Sequence, residues 1–218
     1  MRTQYTQELE SLHTKLAELG NAANESVHKA IKAYTEFDKE LAHELFSDDL
    51  RINASTVDIE RDAYRLIVLQ QPVSEDLRLI FAIIHASLDI ERIADHAVSI
   101  ARAVIRRETE AVDVEVLSNK IKRMGEIIQP MLTDTIAAFA EKDAEAAREI
   151  AERDELVDEL LRDVFIESQQ RMVNNSEVVE QGVSYINVAQ SLERIGDYVT
   201  NICERIVYIV TGDIVELN

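Results

Sequence analysis

Glycine, proline, tryptophan and cysteine are scarce in this 218-residue chain, and each scarcity removes a class of structure. With 5 Gly, 2 Pro and no Trp, too few turn formers remain for an extended β architecture. The single Cys203 cannot close an intramolecular disulfide, which points to a reducing cytoplasm. The N-terminus lacks the order of basic, apolar and small residues that marks a secretory signal. No apolar run approaches the roughly 20 residues that span a bilayer; the richest stretch, 202–210, is interrupted by Glu204 and Arg205. Basic charge is short as well. The 23 Lys and Arg against 42 Asp and Glu leave a formal charge of −19, a field that repels nucleic acid and favours cations or basic protein surfaces.

What remains is rich in Ala, Leu, Ile, Glu, Asp and Arg, the composition of long helices joined by short loops. Leu9, Leu12, Leu16, Leu19, Ala23, Val27, Ala30, Ile31 and Tyr34 recur every three or four residues and predict a first helix over 5–37. Asp38 is a plausible N-cap for a second helix, which ends before Gln71-Pro72. Ser74, Glu75 and Asp76 suit the start of a third, where a hydroxyl caps free amides and acids meet the positive end of the dipole. That helix runs to about Arg107 and is apolar around more than one face over 90–105, as expected of the central helix of a bundle. Residues 108–113 read as a polar linker. Three further helices follow, over 114–141, 143–174 and 176–210, with Pro130 expected to bend the fourth and Gly212-Asp213 to end the last.

The second set repeats the first. At an offset of 102 residues, Ser74-Glu75 returns as Ser176-Glu177, Ile84 as Ile186, and Glu91-Arg92-Ile93-Ala94-Asp95 as Glu193-Arg194-Ile195-Gly196-Asp197. Eight of the 29 residues from 74 to 102 are identical to their counterparts at this one gapless offset, where chance gives about two. We read an internal duplication. The fold class is all-α: two tandem antiparallel three-helix bundles, 1–108 and 109–218, related by a pseudo-twofold, with helices of about 30 residues and about 45 Å.

Each repeated motif sets a Glu and an Asp four residues apart, one turn along one helix face. Glu91 is in phase with Leu77, Ile80, Ile84 and Leu88, so it leaves the helix along a packing stripe, and Glu193 follows Ile186 and Ala189 in the same way. Carboxylates at such a seam cost free energy unless they are paired, hydrogen-bonded or bound to metal. Arg92 and Arg194 are the structural answer, each placed to reach the Asp three residues on. The chemical answer needs acids from a second helix. Asp154 and Asp158 are again four apart, and Asp49 and Asn53 hold the related place in the first half. Two such pairs facing across a bundle offer oxygen ligands to a hard or borderline cation, with Asn201 and Ser99, a turn beyond each Asp, as neutral additions.

Histidine gives a competing pattern. Glu10/His13, Glu25/His28 and Glu40/His43 have the Glu-x-x-His spacing of di-iron bundles. The first two lie on one helix roughly 22 Å apart, and the helices that carry the acids lack the pattern, so these read as surface histidines. His96 points about 100° away from Asp95 around the helix, and its counterpart is Tyr198. Cys203 falls in an apolar stripe and reads as a small hydrophobe. There is no phosphate-cradling glycine loop, nucleophile elbow or triad.

Residues 71–78 (Gln-Pro-Val-Ser-Glu-Asp-Leu-Arg), 90–98 and 192–202, taken together, resemble the PhoU family of phosphate-transport regulators over essentially the whole chain. The resemblance implies a cytoplasmic, non-enzymatic adaptor, a homodimer, peripheral to membrane complexes. Its implied partners are the ATPase subunit of a phosphate ABC transporter and a sensor histidine kinase, with negative control of the phosphate-starvation response. It also implies multinuclear metal clusters of iron or zinc, held by Glu91/Asp95 with Asp49/Asn53 and by Glu193/Asp197 with Asp154/Asp158. Asn53 and Ser99 depart from the family pattern, where Asp and Asn are usual, so the second half is expected to bind metal more tightly. Two readings from other classes stay open: a carboxylate-bridged iron oxidase, and a metal-free helical scaffold.

Overall fold

The computed structural model describes residues 2–107 and 115–217, which leaves the expected linker at 108–113 outside the described residues. In chain order, the helices are α1 (Arg2–Glu36), α2 (Lys39–Gln70), α3 (Ser74–Arg106), α4 (Glu115–Glu141), α5 (Ala144–Ala151), α6 (Asp154–Asn174) and α7 (Val179–Thr211), with a 3-10 turn at Ser176–Val178. No strand occurs among the described residues.

The helical period read for α1 is the one that becomes buried, whereas Leu50 and Val57 of α2, expected on its apolar stripe, stay exposed. Leu12, Leu16, Leu19, Ala23, Val27 and Tyr34 of α1 all face the core. Asp38 caps α2, its Oδ1 accepting from the Leu41 amide at 2.9 Å, and Gln71 closes that helix in the left-handed region at φ 49°. Gly212, at φ 80°, ends α7 by donating its amide to the Tyr208 carbonyl at 2.9 Å. α4 runs unbroken through Pro130, whose ring lies on the exposed side.

Three expectations need correction. Ser74 does not cap α3: the N-cap position is Val73, without a side-chain bond, and Ser74 itself takes φ 53°. Ser176 does not open α7 either; Asn175 caps the intervening 3-10 turn through the Glu177 amide at 3.0 Å. The predicted single helix over 143–174 is interrupted at Glu152 and Arg153. There the bonding tightens to Arg153 N–H on the Ile150 carbonyl (3.1 Å) and Leu156 N–H on the Arg153 carbonyl (3.2 Å). Glu152 and Arg153 keep right-handed dihedrals, so the break is a change of winding rather than a turn.

α1, α2 and α3 pack on one another, as do α4, α5/α6 and α7, which gives the two duplicated bundles. Among the described residues the broadest contact joins them, α3 against α7, with α1 on α4 beside it. One continuous apolar core results. α3 and α7 run antiparallel: Arg78 Nε donates to the Ile209 carbonyl at 3.4 Å, while His96 meets Tyr198 with ring centroids 5.8 Å apart. His96 and Tyr198 are counterparts in the duplication, and counterparts in contact lie at the pseudo-twofold. Both Glu-x-x-x-Asp motifs therefore flank the crossing of the two central helices.

Candidate metal centre

At the second motif, α7 supplies Glu193 and Asp197 and α6 supplies Asp154 and Asp158. The tightened winding before α6 turns Asp154 inward to 5% exposure, whereas Asp158, one turn on, stays at the solvent rim. Asp154 Oδ1 is buried without a hydrogen-bond partner. It lies against the backbone of Gly196, in the space that a Cβ there would fill. Burial, and then the negative fields of Asp158, Asp197 and Glu193, push the Asp154 carboxyl up to about 7. Burial also raises Glu193, with Asp197 adding and Arg194 opposing. Asp197 is raised by burial, against the nearby Arg194. Arg194 donates to Asp197 Oδ2 at 3.0 Å and stands 3.7 Å from Glu193 Oε2, so the structural answer expected for this arginine is realised beside the carboxylates.

At the first motif, Asp49 and Asn53 of α2 face Glu91 and Asp95 of α3. Asn53 Nδ2 donates weakly to Asp49 Oδ2 at 3.4 Å, and Asp49 Oδ1 and Asn53 Oδ1 are buried and unpartnered. Burial raises Asp49, Asp95 adds to the rise, and Arg102 opposes it. Glu91 is raised by burial and by Asp95, with smaller contributions from Asp49 and Glu60. Arg92 donates to Asp95 Oδ2 at 3.0 Å. Ser99 turns back into its own helix, its Oγ donating to the Asp95 carbonyl at 3.0 Å. Asn201 instead reaches across to Asp89 on α3, a half-buried acid that burial pushes up to about 6.

Among the described residues, no three His, Cys, Asp or Glu side chains converge on one point as a ready coordination shell. Four carboxylates nevertheless lie within one another's electrostatic reach at the second motif, with one guanidinium beside them, and a buried carboxylate oxygen there has no protein donor. That donor set suits a hard cation. The first motif fits less well, with an amide in place of one carboxylate and two guanidiniums nearby.

Other expectations resolve as packing. His96 is half-buried, its charge disfavoured by burial and favoured by Asp95. His13 is not a plain surface residue, because its ring packs 6.0 Å from that of Phe139. Cys203 is fully buried, 3.4 Å from Thr135 Oγ1, and burial pushes its thiol up to about 11. Sequence reasoning missed Gly196, Arg102, Glu60 and Asp89. Two of these left a signal in the duplication: glycine against Ala94, and Arg102 against Glu204.

Two tandem helical bundles joined through their central helices, with acidic motifs at the crossing, define an all-helical duplicated protein. The PhoU domain matches residues 16–104 and 121–206, one copy per bundle. The chain belongs to the PhoU family. It is 35% identical to a phosphate-specific transport system accessory protein PhoU homolog of Clostridium acetobutylicum, covering 98% of this chain and 97% of that protein. It is likewise 35% identical to the Streptococcus pneumoniae homolog over the full length of both. Its fold matches the crystal structure of the phosphate transport system regulatory protein PhoU from S. pneumoniae with a TM-score of 0.90 at 33% identity, covering 97% and 99% of the two chains. For PhoU from Pseudomonas aeruginosa the TM-score is 0.91 at 30% identity, with 96% and 100% covered.

Proposed function

We propose that this chain is a cytoplasmic, non-enzymatic accessory protein of phosphate transport. It acts as an adaptor between the ATPase subunit of a phosphate ABC transporter and a sensor histidine kinase, and it damps the phosphate-starvation response. The observation that carries this reading is the full-length match to accessory and regulatory proteins of phosphate transport, in both sequence and fold. Asp154, Asp158, Glu193 and Asp197 hold a cation, iron or zinc by family resemblance, which would supply the positive charge that the buried, unpartnered Asp154 Oδ1 lacks. The protein's own part is to fix the carboxylates between α6 and α7.

Deleting the gene tests the adaptor. Phosphate-starvation genes should become active at high phosphate, and re-expressed protein should silence them. Unchanged phosphate control in the deletion strain would remove the reading. Elemental analysis of gently purified protein tests the cation: metal should co-purify with the wild type and be lost from Asp158→Asn/Glu193→Gln. The ion pairs Arg92–Asp95 and Arg194–Asp197 support a second reading, a metal-free scaffold. It would prevail if metal-free protein and the double variant both restored normal regulation.

A further inference from the structure

The two carboxylate faces correspond in position but not in charge. Arg102 on α3 and Glu204 on α7 are counterparts at the 102-residue offset, so the duplication has inverted a charge beside one motif. Arg102 leans across to α2: its guanidinium carbon lies 6.0 Å from the centroid of the Phe46 ring, about one turn before Asp49, and its charge favours the ionised Asp49. Glu204 Oε1 accepts the Leu217 amide at 3.1 Å and adds no positive charge.

The surroundings of the first face are thus two guanidiniums, Arg92 and Arg102, for the carboxylates of Asp49, Glu91 and Asp95, with the Glu60 carboxylate contributing less from farther along α2. The second face has Arg194 alone for the four carboxylates of Asp154, Asp158, Glu193 and Asp197. The backbone differs in the same sense. Gly196 leaves room for an acid to seat deep between α6 and α7, while its counterpart Ala94 carries a buried methyl. A fixed guanidinium near a site repels a divalent ion as strongly as a carboxylate at the same distance attracts it, so replacing one by the other changes affinity steeply.

We propose that this chain takes up a cation at the second face only, and that Arg102 is the internal counter-ion standing in for a metal at the first. This rests on the cation reading above and departs from an equal pair of sites. Arg102 is exposed, so it can be replaced without opening the core.

Full-length protein stripped with chelator and titrated with Mn2+, with free Mn2+ followed by electron paramagnetic resonance, tests it. Wild-type binding should disappear in Asp158→Asn/Glu193→Gln and persist in Asp49→Asn/Glu91→Gln. Arg102→Glu, which copies the residue at position 204, should raise the bound Mn2+ about twofold, and adding Asp49→Asn/Glu91→Gln should abolish that gain. Arg102→Gln, which removes the charge without reversing it, should give a smaller gain. If wild-type binding falls in Asp49→Asn/Glu91→Gln, or if Arg102→Glu and Arg102→Gln both leave capacity unchanged, the counter-ion role fails while the cation reading stands. If neither wild type nor Arg102→Glu binds Mn2+, both fail.

Discussion

Asp154 on α6 occupies the space that a side chain at position 196 would take on α7. The glycine is therefore required by a neighbour and not by the backbone, since it sits inside a regular helix. Helix propensity alone would make Gly196→Ala stabilising by about 1 kcal/mol. The clash with a buried carboxylate reverses the sign. We expect Gly196→Ala to lose about 1–3 kcal/mol in urea denaturation, with Asp154 displaced toward solvent. The reciprocal Ala94→Gly should lose only about 1 kcal/mol. A Gly196→Ala protein more stable than the wild type would show that Asp154 does not depend on this cradle.

Burial and the neighbouring acids push the Asp154 carboxyl up to about 7, well above the ordinary aspartate range near 4. A carboxyl with a raised folded pKa binds more protons in the native state than in the unfolded one between these two values. Stability then falls as pH rises through that window, and the loss is complete above about 7. Asp154→Asn removes the charge while keeping the shape. In metal-free protein it should raise stability above pH 7 by on the order of 2 kcal/mol and flatten the decline between roughly pH 4 and 7. Chemical denaturation across that range reads both. An unchanged pH profile would mean that Asp154 ionises freely.

Pro130 lies within α4 between the buried Ile128 and Met131. It lacks the amide that would serve the Glu126 carbonyl, so one helical bond is missing where the chain otherwise continues. Because the ring faces solvent, alanine can restore the bond without touching the core. Pro130→Ala should raise stability by about 1–3 kcal/mol, seen as a higher melting midpoint. A lower midpoint would mean that the packing of Ile128, Met131 and Leu132 depends on the proline.

The helices and their ends were legible where one physical signal acted alone. The recurrence of Leu12, Leu16 and Leu19 fixes the inward face of α1, and Asp38 has no competitor as the α2 cap. Glu152 and Arg153 gave no warning of the change in winding, because neither is a helix breaker and both keep helical dihedrals. Ser74 failed as a cap because it adopts a left-handed backbone itself. At the candidate site, spacing within one helix placed Glu193 beside Asp197, and the same four-residue spacing singled out Asp154 and Asp158 as their partners. Arg102 and Asp89 could not be placed in that way. Their neighbours, Phe46 and Asn201, are set by how α3 crosses α2 and α7, and no helical period encodes a crossing.

Asp48 behaves oppositely to Asp154, although it too is buried, on α2 facing α1. Burial alone would raise its pKa, but hydrogen bonds from Lys29 and Arg51 outweigh that and hold it below the usual carboxylate range. Lys29 Nζ donates to Asp48 Oδ2 at 3.0 Å, with the lysine side chain 23% and the aspartate 10% exposed, whereas Arg51 is largely in solvent. A lowered folded pKa contributes stability above the unfolded value, near 4, and loses it as pH falls. Lys29→Met keeps the apolar stem and leaves the carboxylate with only the exposed Arg51. We expect a loss of about 1–3 kcal/mol at neutral pH, shrinking toward pH 3 as Asp48 is protonated. Arg51→Met should cost under about 1 kcal/mol. Urea denaturation of both variants at neutral and acid pH separates the two partners, and equal losses would show that Lys29 holds no privileged place beside Asp48.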